Sequence, residues 1–280
     1  MEYSPTKMQN LLEKNNFSFK KSFGQNFIID ENVINSIVTK ADIDDDTLVL
    51  EIGPGAGSLT YKLAQVSKQL VCFEIDERLK DTLESNLSSF DNIDIIFKDF
   101  LSADIKSVLE KYEYKKLYVV ANLPYYVTTP IIIKLIEDNI LPNKIVVMVQ
   151  KEVGNRFKAL PKTKEYNSLS VFLNYYYDIK KIIDVSRNVF IPKPNVDSIV
   201  VEFNLKSSRY KLIDEKLFFK IVKDSFKQKR KTIRNNLKGY DLEVIKSVLK
   251  KHNVDLSVRA EALPLEVFVD ISNELSNKHN

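Results

Sequence analysis

The sequence predicts an α/β fold, with a mostly parallel sheet covered by helices on both faces and a small all-helical C-terminal part. Short apolar runs of strand character alternate with helical segments between residues 31 and 149. A glycine-rich turn, Gly53 to Gly57, follows the first of these runs. Beyond Lys206 the apolar periodicity is helical only, so the predicted domains are residues 1–206 and 207–280.

The alternation defines each element in turn. Residues 1–16 read as a mobile or helical lead-in, and residues 20–30 as a turn-rich segment with buried aromatic side chains. The predicted strands are 47–52, 69–75, 93–98, 117–121, 144–149, 178–185 and 198–205. The predicted helices are 31–41, 58–66, 77–87, 107–112, 129–138, 152–159 and 168–175. In the C-terminal part, Phe218, Val222 and Phe226 recur at helical spacing, and Ile233 and Leu237 continue the same stripe.

The composition excludes several classes of protein. A single cysteine, Cys72, excludes an intrachain disulfide and a cysteine-based zinc site. The two histidines lie late in the chain, so we expect chemistry that needs neither a metal nor a histidine base. No apolar run approaches the length of a membrane span, and residues 1–12 lack the apolar core of a signal peptide. We therefore expect a cytoplasmic protein with no membrane partner.

The charge is distributed unevenly along the chain. Residues 206–251 contain 15 basic and 5 acidic residues, a net of +10, whereas the whole chain carries +4, which leaves −6 for the rest. This asymmetry favours a module that binds a polyanion, joined to an ordinary globular enzyme. The alternative is a solvated helical face in a lysine-rich chain.

The glycine turn has features of a cofactor site. Glycines at 53, 55 and 57 permit a tight turn and close approach of a ligand, and Glu74 at the end of the next strand can accept both hydroxyls of a ribose. The G-x-G-x-G spacing and Pro54, which lacks an amide hydrogen, favour S-adenosyl-L-methionine over a dinucleotide. A nicotinamide cofactor and a purely structural turn remain as alternatives.

Two further strand ends carry candidate side chains. Asp99 stands where an acceptor can meet the amino group of a cofactor adenine, with Phe100 beside the ring, although an aspartate after a strand is also a common helix cap. Asn122, Leu123 and Tyr125 follow the fourth strand. The Asn122 side-chain oxygen and the Leu123 carbonyl would accept hydrogen bonds from an exocyclic amine, and Tyr125 would stack on its base. This pattern is typical of amino-group methyltransferases.

Other segments indicate an RNA substrate. Phe190, in a proline-rich loop, is a candidate for the opposite face of the flipped base, and a core anchor is the equally weighted alternative. Residues 150–156 either position the RNA or cap a helix. Residues 228–237 combine cations with an apolar stripe, which suits phosphate contacts along a helix; a salt-bridged solvent face is the alternative. The candidate RNA-binding residues are Lys229, Arg230, Lys231 and Arg234.

Six motifs occur in an order that resembles one family. They are Lys-Ser-Phe-Gly-Gln-Asn-Phe (21–27), Glu-Ile-Gly-Pro-Gly (51–55), Asn-Leu-Pro-Tyr (122–125), Val-Gln-Lys-Glu-Val (149–153), Phe-Ile-Pro-Lys-Pro-Asn-Val-Asp-Ser (190–198) and Arg-Lys-Thr-Ile-Arg-Asn-Asn-Leu (230–237). Together they resemble the bacterial small-subunit (16S) rRNA adenine N6,N6-dimethyltransferases over about residues 20–240.

The resemblance implies a Rossmann-like, class I, S-adenosyl-L-methionine-dependent methyltransferase sheet of seven strands with a small helical domain. It implies dimethylation of two adjacent adenines in a 3′-terminal hairpin of small-subunit rRNA, within the 30S precursor. The cofactor ligands of the family map onto Asn26, Ile28, Gly53, Glu74, Asp99 and Asn122. Gly55, Ile75 and Phe100 complete the candidate cofactor residues, with no metal, and we expect a monomer.

Three alternatives stay open at this point. One is the macrolide-resistance dimethyltransferase of large-subunit rRNA, which more often has Asn-Ile-Pro-Tyr and lacks the Arg-Lys-Thr-x-Arg-Asn run. Another is an assembly factor that mainly occupies an immature small subunit. The third is a nicotinamide oxidoreductase.

Overall fold

The structure is a computed structural model that describes residues 25–279, without the side chain of residue 279. The expected lead-in (1–16) and the start of the turn-rich segment (20–24) lie outside the described residues. The strands are β1 (Phe27–Ile28), β2 (Thr47–Ile52), β3 (Gln69–Glu74), β4 (Ile93–Phe97), β5 (Lys116–Asn122), β6 (Lys144–Gln150), β7 (Tyr177–Val185), β8 (Phe190–Ile191) and β9 (Ser198–Leu205). The α-helices are α1 (Glu31–Ala41), α2 (Ser58–Ala64), α3 (Lys80–Leu87), α4 (Ile105–Leu109), α5 (Thr128–Glu137), α6 (Lys151–Phe157), α7 (Ser168–Tyr176), α8 (Glu215–Ser225), α9 (Ile233–Asn236), α10 (Leu242–Lys251) and α11 (Leu265–His279).

Seven strands form one sheet in the order β4-β3-β2-β5-β6-β9-β7, which confirms the predicted strand number. Strands β2 to β6 pair in parallel, and β9 runs antiparallel to β6. The order reverses between β2 and β5, and ligands of open α/β sheets bind beyond the carboxyl ends of strands at such a reversal. The short strands β1 and β8 pair separately as an antiparallel ribbon.

The central strands are apolar because both faces of the sheet are covered. All six residues of β2 are buried, as are the five middle residues of β5 and of β6. Ile34 and Ile37 of α1 pack in one core cluster with Val49 of β2 and Val146 of β6. Helix α1 begins at Asp30, whose carboxylate accepts the backbone N–H groups of residues 32 and 33. The predicted α/β class is confirmed.

The described chain divides into two compact units. One contains the residues up to Gly154 together with 180–205, and the other contains 155–179 and 206–279. The chain passes from the first unit to the second after residue 205, close to the predicted boundary at residue 206. The prediction placed residues 155–179 in the domain that contains the sheet, whereas they group with the C-terminal helices. Apolar and aromatic side chains explain why this segment groups with the C-terminal helices: Phe172 packs edge-to-face on Phe219 of α8, and Tyr166 packs on Phe226.

The basic segment is not the continuous helix that the apolar stripe predicts, and that expectation is wrong. Helix α8 ends at Ser225, residues 226–231 form turns and bends, and the four-residue helix α9 starts at Ile233. The Asn236 amide donates to the carbonyls of Ser225 at 2.7 Å and Gln228 at 3.2 Å, so one side chain satisfies backbone groups that a continued helix would pair. Like charges three and four residues apart also disfavour a helix here.

No helix within residues 25–279 has both the length and the apolar character needed to cross a membrane.

Candidate cofactor and substrate site

A cleft opens where the sheet order reverses, beyond the carboxyl ends of β2 and β5. It holds about 480 Å³ of empty space. Its lining combines the glycine turn, the end of β3 and the residues after β5. The lining residues are Gln25, Asn26, Phe27, Gly53, Gly55, Glu74, Ile75, Asn122, Leu123, Pro124 and Tyr125. Eight of these were candidate residues from the sequence, so distant motifs meet at one edge of the sheet.

The glycine turn needs glycine for two separate reasons. Gly53, Gly55 and Gly57 have φ of 74°, 61° and 87°, in the left-handed region that disfavours other residues. A Cβ on Gly55 would also lie 2.8 Å from the ring of Phe27, closer than carbon atoms approach without a shift. A side chain at Gly55 would therefore have to displace the Phe27 ring, which packs directly against the turn.

Glu74 is held firmly below the turn. It is 4% exposed, its Oε2 accepts the Gly55 N–H at 3.0 Å, and its Oε1 accepts the Asp76 N–H at 2.8 Å. Burial raises the pKa of Glu74, and these two N–H groups partly oppose the effect. Because the Gly55 amide is already bonded to a carboxylate, it is not available to a pyrophosphate. The turn thus fits a cofactor without phosphates better than a dinucleotide.

A second cleft adjoins the first on the β4 side. It holds about 380 Å³ and shares Gly53, Ile75 and Pro124 with the first cleft. Its lining includes Asp99, Phe100, Tyr126 and apolar side chains, with Ile75 42% exposed. Asp99 caps the short 3₁₀ helix Phe100–Ser102, since Oδ1 accepts the Leu101 N–H at 3.0 Å. Asp99 therefore does cap a helix, as the alternative from the sequence has it. Its second oxygen, Oδ2, remains as an acceptor beside the cleft.

Asn122 has a defined amide orientation. Its Nδ2 donates to the backbone carbonyl of Asn26 at 2.9 Å, so Oδ1 remains as the acceptor. Pro124 fixes the following backbone, and its carbonyl accepts from the Thr128 hydroxyl at 3.1 Å and the Val127 N–H at 3.2 Å. The amide oxygen is thus positioned by a contact between segments 96 residues apart.

The hydroxyl of Tyr125 contacts β9. Its hydroxyl lies 2.9 Å from Oγ of Ser198, and Ser198 is 1% exposed at the start of β9. Burial raises the pKa of Tyr125, so the phenol is neutral near neutral pH. Tyr126, by contrast, is 54% exposed.

Two of the candidate catalytic and cofactor residues lie outside both clefts. Ile28 and Phe190 face each other in the β1–β8 ribbon, are 3% and 2% exposed, and belong to the core cluster. For Phe190 this position corresponds to the core-anchor alternative. Its stacking role stays a prediction.

Other residues at the site were not singled out from the sequence. Asp76 is 3% exposed and accepts from Gln25 Nε2 at 2.8 Å and from Arg78 Nη2 at 2.6 Å. Burial opposes ionisation of Asp76, but the hydrogen bonds from Arg78 and Gln25 outweigh it and lower its pKa. This group joins the segment before β1 to the end of β3. The sequence feature that could have identified Asp76 is its position two residues after Glu74, just beyond the end of the same strand.

Glu51 is a buried acid directly below the glycine turn. It is 1% exposed, and burial raises its pKa to about 8; the nearby thiol of Cys72 donates to Oε2 at 3.6 Å. Glu51 is therefore protonated at neutral pH. Across residues 25–279, no group of three or more His, Cys, Asp or Glu side chains is arranged to hold a metal ion.

The four candidate RNA-binding cations lie in the helical unit and are exposed. Lys229, Arg230 and Lys231 occupy the turn before α9, and Arg234 lies within α9. Lys229 Nζ donates to the backbone carbonyl of Lys164 at 3.0 Å, so this cation has a partner within the unit.

Comparisons with known proteins agree on one kind of protein. Residues 16–277 match the family described as "Ribosomal RNA adenine dimethylase". A "Ribosomal RNA small subunit methyltransferase A" from Macrococcus caseolyticus is 46% identical, over 98% of this chain and 97% of that protein. The protein of the same name from Bacillus pumilus is 44% identical, over 97% of this chain and 96% of its own length.

Two solved structures share the fold. A dimethyladenosine transferase from Plasmodium falciparum superposes with a TM-score of 0.75 at 24% identity, over 90% of this chain and 98% of that one. The 23S rRNA methyltransferase ErmE superposes with a TM-score of 0.70 at 24% identity, over 90% of this chain and 100% of its own.

Proposed function

Since the chain belongs to the ribosomal RNA adenine dimethylase family, we propose that it dimethylates N6 of two adjacent adenines in a 3′-terminal hairpin of small-subunit rRNA. Its cofactor is S-adenosyl-L-methionine. The near full-length similarity to proteins named as small-subunit methyltransferases supports the choice of subunit.

The observation that carries the proposal is the Asn122 amide. Its nitrogen is bonded to the Asn26 carbonyl, so its oxygen is fixed as an acceptor before any substrate arrives. The backbone carbonyl of Leu123 supplies the second acceptor in the same cleft. Two acceptors drawing on the hydrogens of an exocyclic amine localise its lone pair and stabilise the positive charge that grows on nitrogen. No side-chain base is required.

The cleft also fits the cofactor. S-adenosyl-L-methionine supplies an activated methyl group on a sulfonium. Glu74 would accept the ribose hydroxyls on the lone pairs that its two backbone contacts leave open. Ile75, Asp99 and Phe100 line the second cleft, whose apolar walls and acceptor suit an adenine ring. Asn26 and Ile28 would contribute backbone contacts, for which Ile28 need not be exposed.

The remaining roles follow from position. Tyr125 would stack on the target base. Phe190 would reach the other face of that base only if the β1–β8 ribbon moved, because its side chain is 2% exposed in the core cluster. Arg230, Lys231 and Arg234 would contact RNA phosphates, and Lys229 would support the same surface through its bond to the Lys164 carbonyl. We further propose that the chain acts as a monomer in the cytoplasm, on rRNA within the 30S precursor, and without a metal.

The test is transfer of labelled methyl from S-adenosyl-L-methionine to unmethylated small ribosomal subunits, with large-subunit RNA in parallel. We expect label in N6,N6-dimethyladenine of small-subunit rRNA. Asn122→Ala should keep RNA binding but lose transfer by roughly 100-fold or more at saturating cofactor, as for removal of one oxyanion-type contact.

Other outcomes would redirect the proposal. Label in large-subunit RNA alone would assign the chain to the resistance class. Bound cofactor with label in neither RNA would favour an assembly factor. Normal transfer by Asn122→Ala would contradict the mechanism.

A further inference from the structure

The basic turn before α9 is joined to a second basic segment from a distant part of the chain. The loop 160–166 carries exposed lysines at 162 and 164 and belongs to the same helical unit. Lys229 Nζ donates to the Lys164 carbonyl at 3.0 Å, which connects positions 65 residues apart. Lys162, Lys164, Lys229, Arg230 and Lys231 are together called the two-segment basic surface.

The loop has a defined conformation on the helical unit. The Lys162 N–H donates to the Glu261 carbonyl at 2.7 Å, with Lys162 in the left-handed region at φ 68°. The buried Tyr166 hydroxyl donates to the Leu263 carbonyl at 3.0 Å, and its ring packs edge-to-face on Phe226. These contacts use backbone and aromatic groups, and Lys162 and Lys164 themselves are exposed.

The turn has an equally defined backbone. Asn236 donates to the carbonyls of Ser225 and Gln228, and the Lys231 N–H donates to the Gln228 carbonyl at 2.9 Å. The side chains at 229–231 are all exposed. The contacts of the neutral Asn236 amide therefore fix the backbone of the turn despite the repulsion between its adjacent cations.

Carboxylates neutralise other lysines of this unit but not these. Lys246 lies 3.6 Å from Glu243, Lys251 lies 2.8 Å from Glu274, and Lys278 pairs with Asp241. Among the described residues, none of the five cations of the two-segment basic surface forms an ion pair with a carboxylate. Exposed Glu165 is the acidic residue within the loop. An unneutralised cluster on a fixed backbone is the arrangement expected for a polyanion.

We infer that the loop 160–166 is part of the rRNA-binding surface, with Lys162 and Lys164 contacting phosphates and Lys229 positioning the loop. The inference rests on the proposed function for the identity of the polyanion. An RNA backbone fits better than an acidic protein because the surface presents cations and hydroxyls with one exposed apolar side chain, Leu160.

The test measures the salt dependence of binding to a small-subunit rRNA fragment containing the 3′-terminal hairpin, and to unmethylated small subunits. The variant is Lys162→Gln with Lys164→Gln. The matched control is Lys246→Gln with Lys251→Gln, which removes the same charge from the same unit at carboxylate-paired positions. We expect the loop variant to reduce the magnitude of the slope of log K, the association constant, against log salt by roughly 1.4 to 1.8. This is the loss of two phosphate contacts at about 0.7 to 0.9 each.

The control should leave the slope almost unchanged, and thermal unfolding should show that both variants fold. Lys229→Met should weaken binding, and its effect combined with the loop variant should be smaller than the sum of the two, because both act through one loop. A loop variant that behaves like the control overturns the inference. Weakened binding to subunits with unaltered binding to the rRNA fragment would also overturn it, and would indicate a ribosomal protein as the partner.

This result is separable from the proposed function. Methyl transfer by the unaltered chain reports on the function alone. If the chain transfers methyl groups while the loop variant keeps the full salt slope, only the inference fails; if transfer fails, the salt slopes still test the surface.

Discussion

At the scale of single residues, the site is organised by contacts between polar side chains and partners that are distant along the chain. The Asn122 amide bonds to the Asn26 carbonyl, and the Tyr125 hydroxyl bonds to Ser198. Each contact joins a residue after β5 to another part of the same unit. Both candidate catalytic side chains therefore have one orientation before the substrate binds, which is what positioning catalysis requires.

We expect Ser198 to act on the reaction through Tyr125. Tyr125→Phe keeps the ring but loses the 2.9 Å contact, and Ser198→Ala removes the other partner. Each should lower kcat on RNA by about 2- to 10-fold, the equivalent of one neutral hydrogen bond, while cofactor affinity stays unchanged. The double variant should be no slower than either single variant. Additive losses, or weaker cofactor binding, would show that Ser198 acts through general stability.

Most of the residues that line the first cleft were candidates from the sequence, but the residues that contact them from distant parts of the chain were not. Gly53 follows β2, and Glu74 and Asn122 are the last residues of β3 and β5, so strand prediction alone places them at one sheet edge. Gln25, Asp76 and Ser198 were missed because their roles depend on side-chain partners far along the chain. Phe190 was weighed equally as base contact and core anchor, since an apolar ring in a loop fits both descriptions.

At the scale of elements, strands were predicted more accurately than the C-terminal helices. The bounds predicted for β2 and β9 match the structure, because a sheet buried on both faces leaves unbroken apolar runs. The basic helix was wrong because the stripe of Phe226, Ile233 and Leu237 does not reveal the Asn236 contacts that end α8. The grouping of residues 155–179 with the C-terminal helices likewise depends on aromatic packing.

The glycine turn between β2 and α2 should tolerate no side chain at Gly55. Gly55→Ala places a Cβ 2.8 Å from the Phe27 ring at φ 61°, and we expect a loss of about 1–3 kcal/mol in the free energy of unfolding. Cofactor affinity should also fall, measured by calorimetric titration. Gly239→Ala is the control, because no atom lies within 4 Å of its Cβ. Equal stability of the two variants would contradict the strain argument.

At the scale of the whole molecule, the buried acid Glu51 makes stability depend on pH. Its pKa of about 8 exceeds the ordinary value of 4.5, so between these values the folded protein keeps a proton that the unfolded chain releases. The free energy of unfolding should therefore fall as the pH rises from about 4.5 to about 8. The cause is the cost of placing a carboxylate charge at a site that is 1% exposed.

Glu51→Gln removes the ionisation while keeping the shape. We expect this variant to gain stability relative to the unaltered chain by roughly 4 kcal/mol at pH 8.5, and by less than about 1 kcal/mol at pH 5. Thermal or urea unfolding across this range is the measurement, with the exposed Glu110→Gln as the control. A difference that does not vary with pH would show that Glu51 is not the group that titrates.

The bond from Asn122 to the Asn26 carbonyl would also affect how the proposed site binds a deaminated adenine. The Asn122 nitrogen is bonded to the Asn26 carbonyl, and in the proposed mechanism the Asn122 oxygen and the Leu123 carbonyl both act as acceptors in the cleft. Deamination converts adenine into hypoxanthine, which carries an oxygen where adenine carries its amine. That oxygen would face two others with no hydrogen between them. Hypoxanthine offers no exocyclic nitrogen to methylate, and the two acceptors would also disfavour its binding, so a deaminated hairpin should compete poorly with the unaltered one.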